Sequence, residues 1–272
     1  MSIEGIDHEL IPRGVHITNH VHKYPNNQGS VYFGYYQNHE VGIKVKYYSE
    51  LSGQSENAPQ EFQNWKKMQH PNVKRLFDCF WAWSNNSWYL VFVMEWCQWD
   101  GMQDIEQRRR ERRLYTEPEL FSMLKGLTDA LATMQNQLFA HHNLKLENIY
   151  PSLIAPKIGD FSCAKFVNMF GISTVSHSSS PSPFLSPELR QSTVNVFKAD
   201  TYSLGVVMLS LALLDIPMCF KKAEVSRMEL ESAITALATS QDFKQVLRWM
   251  LAENVDERCD FLQLSRYLQG IR

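Results

Sequence analysis

The 272-residue sequence has no Cys-x-x-Cys pair, no internal repeat, no long low-complexity linker and no excess of one charge. Its five cysteines, at positions 79, 97, 163, 219 and 259, stand far apart. That spacing argues against a zinc site or a disulfide framework and predicts buried thiols. A formal charge of -2 gives no global field toward nucleic acid or an anionic membrane. The first ten residues lack a basic stretch followed by an apolar run. The longest apolar stretch, Leu204 to Leu214, is broken by Gly205 and Ser210 and is too short to cross a bilayer. The expectation is a cytoplasmic, intracellular protein that neither binds nucleic acid nor inserts into a membrane.

What the chain does have is core material, with 44% hydrophobic and 12% aromatic residues. Between residues 10 and 95, β-rich runs at 31–36, 41–48, 74–83 and 88–94 are bounded by turn signals such as Ser84-Asn85-Asn86-Ser87. One helix interrupts them near 59–69, where Phe62, Trp65 and Met68 make an apolar stripe that Pro71 closes. After residue 100 the periods turn helical, over 117–137, 199–214, 228–238 and 243–253. The class is α+β. A small sheet lobe with one helix (about 10–95) and a larger, mainly helical lobe (101–272) flank a hinge at 96–100.

Residues with chemistry fall in an ordered series. Lys44 closes Val41-Gly42-Ile43-Lys44, and Glu61 stands nine residues before His70-Pro71-Asn72. The run His141-His142-Asn143-Leu144-Lys145-Leu146-Glu147-Asn148 is followed by Asp160-Phe161-Ser162. Ser186-Pro187-Glu188, then Asp200 to Gly205, and Arg258 complete it. The series resembles the protein kinase family over about residues 10–272.

The resemblance implies a bilobal kinase fold and a role for each position. Lys44, aimed by Glu61, would contact the α/β-phosphates of ATP. Asn148 and Asp160 would hold Mg, and Lys145 would add positive charge near the γ-phosphate. Gly29, Val31, Met94, Glu95 and Cys97 would line the nucleotide site. The glycine-rich loop is eroded, with Tyr24 and Asn26 in its first two glycine positions, so ATP and Mg binding is expected to be weak or absent. Gly29 reads equally well as a turn or bulge residue.

Asn143 stands where the family carries the catalytic aspartate, and an amide is no base. His142 replaces the arginine that pairs with an activation-loop phosphate. His141 is expected in the core between Phe161 and Trp65, and Arg258 against Glu188. The implied function is that of a pseudokinase: a scaffold or allosteric regulator within a signalling or structural protein complex. The alternative is a weakly active serine/threonine kinase, since base removal costs on the order of 10²–10⁴ in rate. Arg108 to Arg113 reads as a solvated helical face or as a dock for an acidic or phosphorylated segment. Ser178 to Pro183 carries two Ser-Pro pairs, at Ser180 and Ser182. The alternation of Phe77, Cys79, Trp81 and Trp83, with Trp88 across the turn, reads as core or as a partner-facing patch.

Overall fold

The structure, a computed structural model, describes residues 5–23, 29–48, 60–152, 154–174, 182–190, 193–221 and 225–271. It divides into two compact units, Met1–Gln69 with Lys74–Gln98, and His70–Val73 with Trp99–Arg272. The first contains α1 (Asp7–Leu10), β1 (Val15–Lys23), β2 (Gly29–Tyr36), β3 (His39–Tyr48), α2 (Gln60–Lys67), β4 (Leu76–Ser84) and β5 (Ser87–Glu95). Its five strands are antiparallel in the order β1-β2-β3-β5-β4.

Alternation on these strands separates two faces. Val41, Ile43, Val45, Phe80, Ala82, Tyr89, Val91 and Val93 point one way and bury Ile6, Leu10 and Val15 against them. Ile6 and Leu10, at 0% and 1% exposure, are anchored further by the Ser84 hydroxyl donating to the Gly5 carbonyl at 3.1 Å. Burial of each of these two side chains stabilises the unit by about 2 kcal/mol.

Strand β1 was not among the expected runs. Its register with β2 slips between Ile17 and Asn19 and again between His20 and His22. Such bulges break the two-residue period on which recognition of a strand depends. A bulge also corrects the expected alternation on β4. The register shift between Leu76 and Asp78 moves Phe77 to the core face, while Cys79, Trp81 and Trp83 keep the other.

The second unit contains α3 (Gly101–Glu111), α4 (Glu117–Asn136), β6 (Phe139–Ala140), β7 (Ile149–Tyr150), β8 (Lys157–Ile158), β9 (Lys165–Phe166), β10 (Ile172–Thr174), β11 (Thr193–Asn195), α5 (Val196–Leu213), α6 (Arg227–Thr235), α7 (Gln241–Met250) and α8 (Phe261–Gly270). Residues 70–73 belong here because Val73 bridges Ile158, the Asn72 side chain donates to the Pro156 carbonyl at 2.8 Å, and Ile158 N–H donates to the Asn72 carbonyl at 2.9 Å. Helix α5 is long and apolar enough to cross a membrane by composition, but 83% of it is buried as the core helix of this unit.

Two expectations change. Cys79, Cys219 and Cys259 are buried, but Cys97 is half-buried and Cys163 exposed. The arginine run is not one solvated face. Arg108 is 4% exposed, bonds Asp104 at 3.0 Å and lies over the Tyr115 ring at 3.5 Å. Arg109, Arg110 and Arg113 are exposed but meet Asp215, Glu106 and Glu111.

Candidate functional site

In the first unit the strand register brings several expected residues onto one face. Val31 is the cross-strand neighbour of Lys44, Gly29 of Lys46, and Gly42 of Met94. Paired residues in a sheet point to the same side, so Gly29, Val31, Lys44 and Met94 share the face opposite the α1-covered core. Lys44 is only 6% exposed, a depth at which lysines are ordinarily paired. Glu61 lies in the first turn of α2, but its side chain is outside the described residues, as are Tyr24, Asn26 and residues 175–181. Glu95 has the opposite parity, and its carboxylate accepts the Arg75 amide at 3.0 Å.

Gly29 has a reason to be glycine that involves no phosphate. A Cβ there would sit 2.3 Å from the Val45 carbonyl oxygen, so the close approach of β2 and β3 excludes one. Trp65 packs near Phe92, with ring centroids 6.4 Å apart, and donates its indole N–H to the Lys74 carbonyl at 2.6 Å.

In the second unit, residues 141–148 are held by backbone bonds rather than by packing alone. The buried Asp200 carboxylate on α5 accepts the His141 amide at 2.8 Å and the His142 amide at 3.0 Å. His141, fully buried, donates Nε2–H to the Gly159 carbonyl at 3.1 Å and accepts the Asn143 amide on Nδ1 at 3.3 Å. Its ring meets Phe161 edge-on at 5.1 Å, which is the expected contact on that side.

Burial lowers the His141 pKa to about 4 against the opposing pull of Asp160, so the ring is neutral and serves as a strut. Burial also takes His142 to about 4, with the Lys165 charge adding to the effect. A neutral imidazole, in the left-handed region at φ 61° with its Nε2 buried and unbonded among the described residues, lacks the fixed charge needed to grip a phosphate.

Asn148 is 5% exposed. Its side-chain amide donates to the Asn143 carbonyl at 2.7 Å, which leaves Oδ1 as its acceptor oxygen. Its own carbonyl accepts the Gly159 amide at 2.9 Å, so the Asp160 carboxylate follows one residue later. The Asn148 amide oxygen and the Asp160 carboxylate are hard oxygen donors, the kind Mg takes from protein when phosphates and water complete its shell. No group of three or more His, Cys, Asp or Glu forms a metal cage among the described residues. The residues fit Mg carried by a nucleotide and do not make a dedicated metal site.

Asp200 was legible in the sequence only as part of a scaffold motif. Its bonds to the amides of His141 and His142 hold the two residues that precede Asn143. Arg258, 1% exposed, reaches Glu188 with Nη2 at 3.1 Å from Oε2, as expected, and also donates to the carbonyls of Ala252 and Lys198 at 2.9 and 3.1 Å.

The family profile described as the protein kinase domain matches residues 27–267. The chain is 27% identical over 161 residues to serine/threonine-protein kinase atg1 of Dictyostelium discoideum, covering 57% of this chain and 23% of that one. It is 29% identical over 156 residues to human serine/threonine-protein kinase Nek5, covering 56% and 21%. Over a longer stretch of 228 residues it is 23% identical to mouse serine/threonine-protein kinase PLK2, covering 80% and 32%. It therefore spans between a fifth and a third of the length of these relatives. With the profile running through both the sheet unit and the helical unit, the chain belongs to the protein kinase family.

Proposed function

We propose that this chain works as a pseudokinase, a protein-binding scaffold or allosteric regulator in a signalling or structural complex, with weak Mg-ATP binding as its residual chemistry. The observation that carries the reading is Asn143 at the position of the proton acceptor, within a loop whose other supports are intact. An amide oxygen can accept a hydrogen bond from a hydroxyl and orient it, but it cannot take the proton away at neutral pH.

The remaining residues divide the work of holding a nucleotide. Lys44 would meet the phosphates, with Glu61 aiming it. Asn148 and Asp160 would present oxygens to Mg, which when bound would neutralise phosphate charge. Lys145 would place a further positive charge near the terminal phosphate. Occupancy at 100 times Kd would stabilise the bound state by about 2.7 kcal/mol, and that bias is the output available to a regulator. The reading assigns the protein to the cytoplasm.

A second reading, a slow serine/threonine kinase, draws on the fit of Asn148 and Asp160 to a metal and on the retained Lys145, because positioning and charge supply most of phosphoryl-transfer catalysis. A radiolabelled phosphate-transfer assay with Lys44→Ala and Asp160→Ala controls separates the two. The scaffold reading expects transfer no greater than in the controls, together with a small ATP-induced thermal shift that requires Mg. Transfer at an ordinary kinase rate, abolished by both substitutions, would refute it.

A further inference from the structure

Strand β4 is one edge of the five-stranded sheet, and no strand lies on its outer side among the described residues. Asn85 and Asn86, at φ 48° and 59°, join it to β5, and Ser84 opposite Ser87 closes the hairpin. In a two-residue hairpin with both turn residues left-handed, the closing pair exchanges both backbone bonds, and bonded pairs alternate from there. Ala82 and Phe80 therefore bond to β5, while Trp81 and Trp83 turn their N–H and C=O groups outward. The close approach of the Trp83 and Trp88 rings, 4.9 Å between centroids, fits a non-bonded pair.

Natural edges are ordinarily blunted by lysine, proline or a bulge. From Cys79 to Ser84 this edge has none of the three, and its register is unbroken. The one blunted group lies at the far end, where the Asp78 carboxylate accepts the Cys79 amide at 2.8 Å. Beside the open groups stands an aromatic platform. Trp83 is 41% exposed, Trp81 meets Tyr48 at 5.3 Å and Trp88 at 6.3 Å, and the buried Trp81 indole N–H has no acceptor among the described residues.

We propose that this edge is a self-association surface whose occupant is the same strand of a second copy, antiparallel, with the two-fold axis through Ala82. That register sets Trp81 opposite Trp83 of the second copy and the reverse, so outward donors meet outward acceptors in about four backbone bonds. The same register keeps the two Asp78 carboxylates at opposite ends of the paired edges, so they do not repel. The indoles of both copies merge into one apolar cluster. The edge and its side chains cover on the order of 1,000 Å², the lower end of specific interfaces, so association depends on concentration.

The inference is independent of nucleotide and of phosphate transfer. Sedimentation velocity on the full chain from about 1 to about 100 μM brackets an interface of this size. The expected result is a rise in mass from 31.7 kDa toward twice that value. Trp83→Lys should abolish the rise, whereas the control Tyr267→Lys, at an exposed position on α8, should not. Trp83 contributes no backbone bond to β5, so β4 survives its replacement. Hydrogen exchange of the unmodified chain gives a second readout, with the Trp81 and Trp83 amides protected at high concentration and not at low. A monomer at every concentration, a dimer untouched by Trp83→Lys, or concentration-independent exchange at these two amides overturns the proposal.

Discussion

Asp200→Asn should change how steeply stability falls in acid, and the size of the change follows from three buried groups. His141 and His142 have their pKa values lowered from 6.5 to about 4 by burial, so between these limits the unfolded chain binds two protons that the folded chain does not. The stability they contribute is present above pH 6.5 and lost as pH falls toward 4. Burial raises Asp200 from 3.8 to about 7, against the bonds from the His141 and His142 amides. Its contribution has the opposite sign, complete below 3.8 and lost as pH rises toward 7.

Across pH 4.5 to 6 the balance from these groups is two protons taken up on unfolding less one released. The slope is therefore about 1.4 kcal/mol per pH unit, one proton's worth. With asparagine the opposing proton vanishes and the slope becomes about 2.7 kcal/mol per pH unit. Urea unfolding followed by tryptophan fluorescence at several pH values measures both slopes, and titrations common to the two proteins drop out of the difference. Equal slopes would refute the protonation states assigned to this cluster. A less steep slope in the variant would reverse the sign assigned to Asp200.

Two further substitutions test single contacts. Glu188→Gln should destabilise the helical unit by about 3 kcal/mol by urea unfolding, the low end for stranding a buried charge, because Arg258 keeps its bonds to Ala252 and Lys198. Gly29→Ala should cost about 1–3 kcal/mol in the sheet unit with no nucleotide present, because the added methyl meets the Val45 carbonyl. A loss confined to ATP affinity would instead return Gly29 to the phosphate loop.

Legibility in the sequence tracked how local the determinants were. Strands β2, β3 and β5 and helix α4 keep their periods, so each was found within a few residues of its ends. Helix α8 is not among the expected helices and α3 is expected only as a helical face at Arg108 to Arg113, although each opens on a capping box, Asp100 with Gln103 and Asp260 with Gln263. The polar composition of α3 leaves little apolar stripe to mark its length, and the capping box alone gives its start. Lys44, Asn143, Asn148 and Asp160 are singled out by the sequence because their spacing along the chain is characteristic. The service of Asp200 to the loop is not, because a contact from residue 200 to residues 141 and 142 depends on packing that no local pattern encodes.

That long-range contact also explains how the loop can keep its shape whatever side chain stands at position 143. The bonds that fix residues 141–148 are to the amides of His141 and His142, from the His141 ring, and from the Asn148 side chain to the Asn143 carbonyl. Position 143 enters through its backbone N–H and C=O, which any non-proline residue supplies. Asn143→Asp is nearly isosteric at a half-buried site, so the fold should register it within about 0.5 kcal/mol. The chemistry should register it far more, because a carboxylate can accept the hydroxyl proton, a contribution on the order of 10²–10⁴ in rate. If the metal and lysine positions are competent, the variant should gain phosphate transfer that Asp160→Ala removes. Equal transfer by the two proteins, with Mg-ATP bound as tightly by both, would refute the role proposed for Asn143.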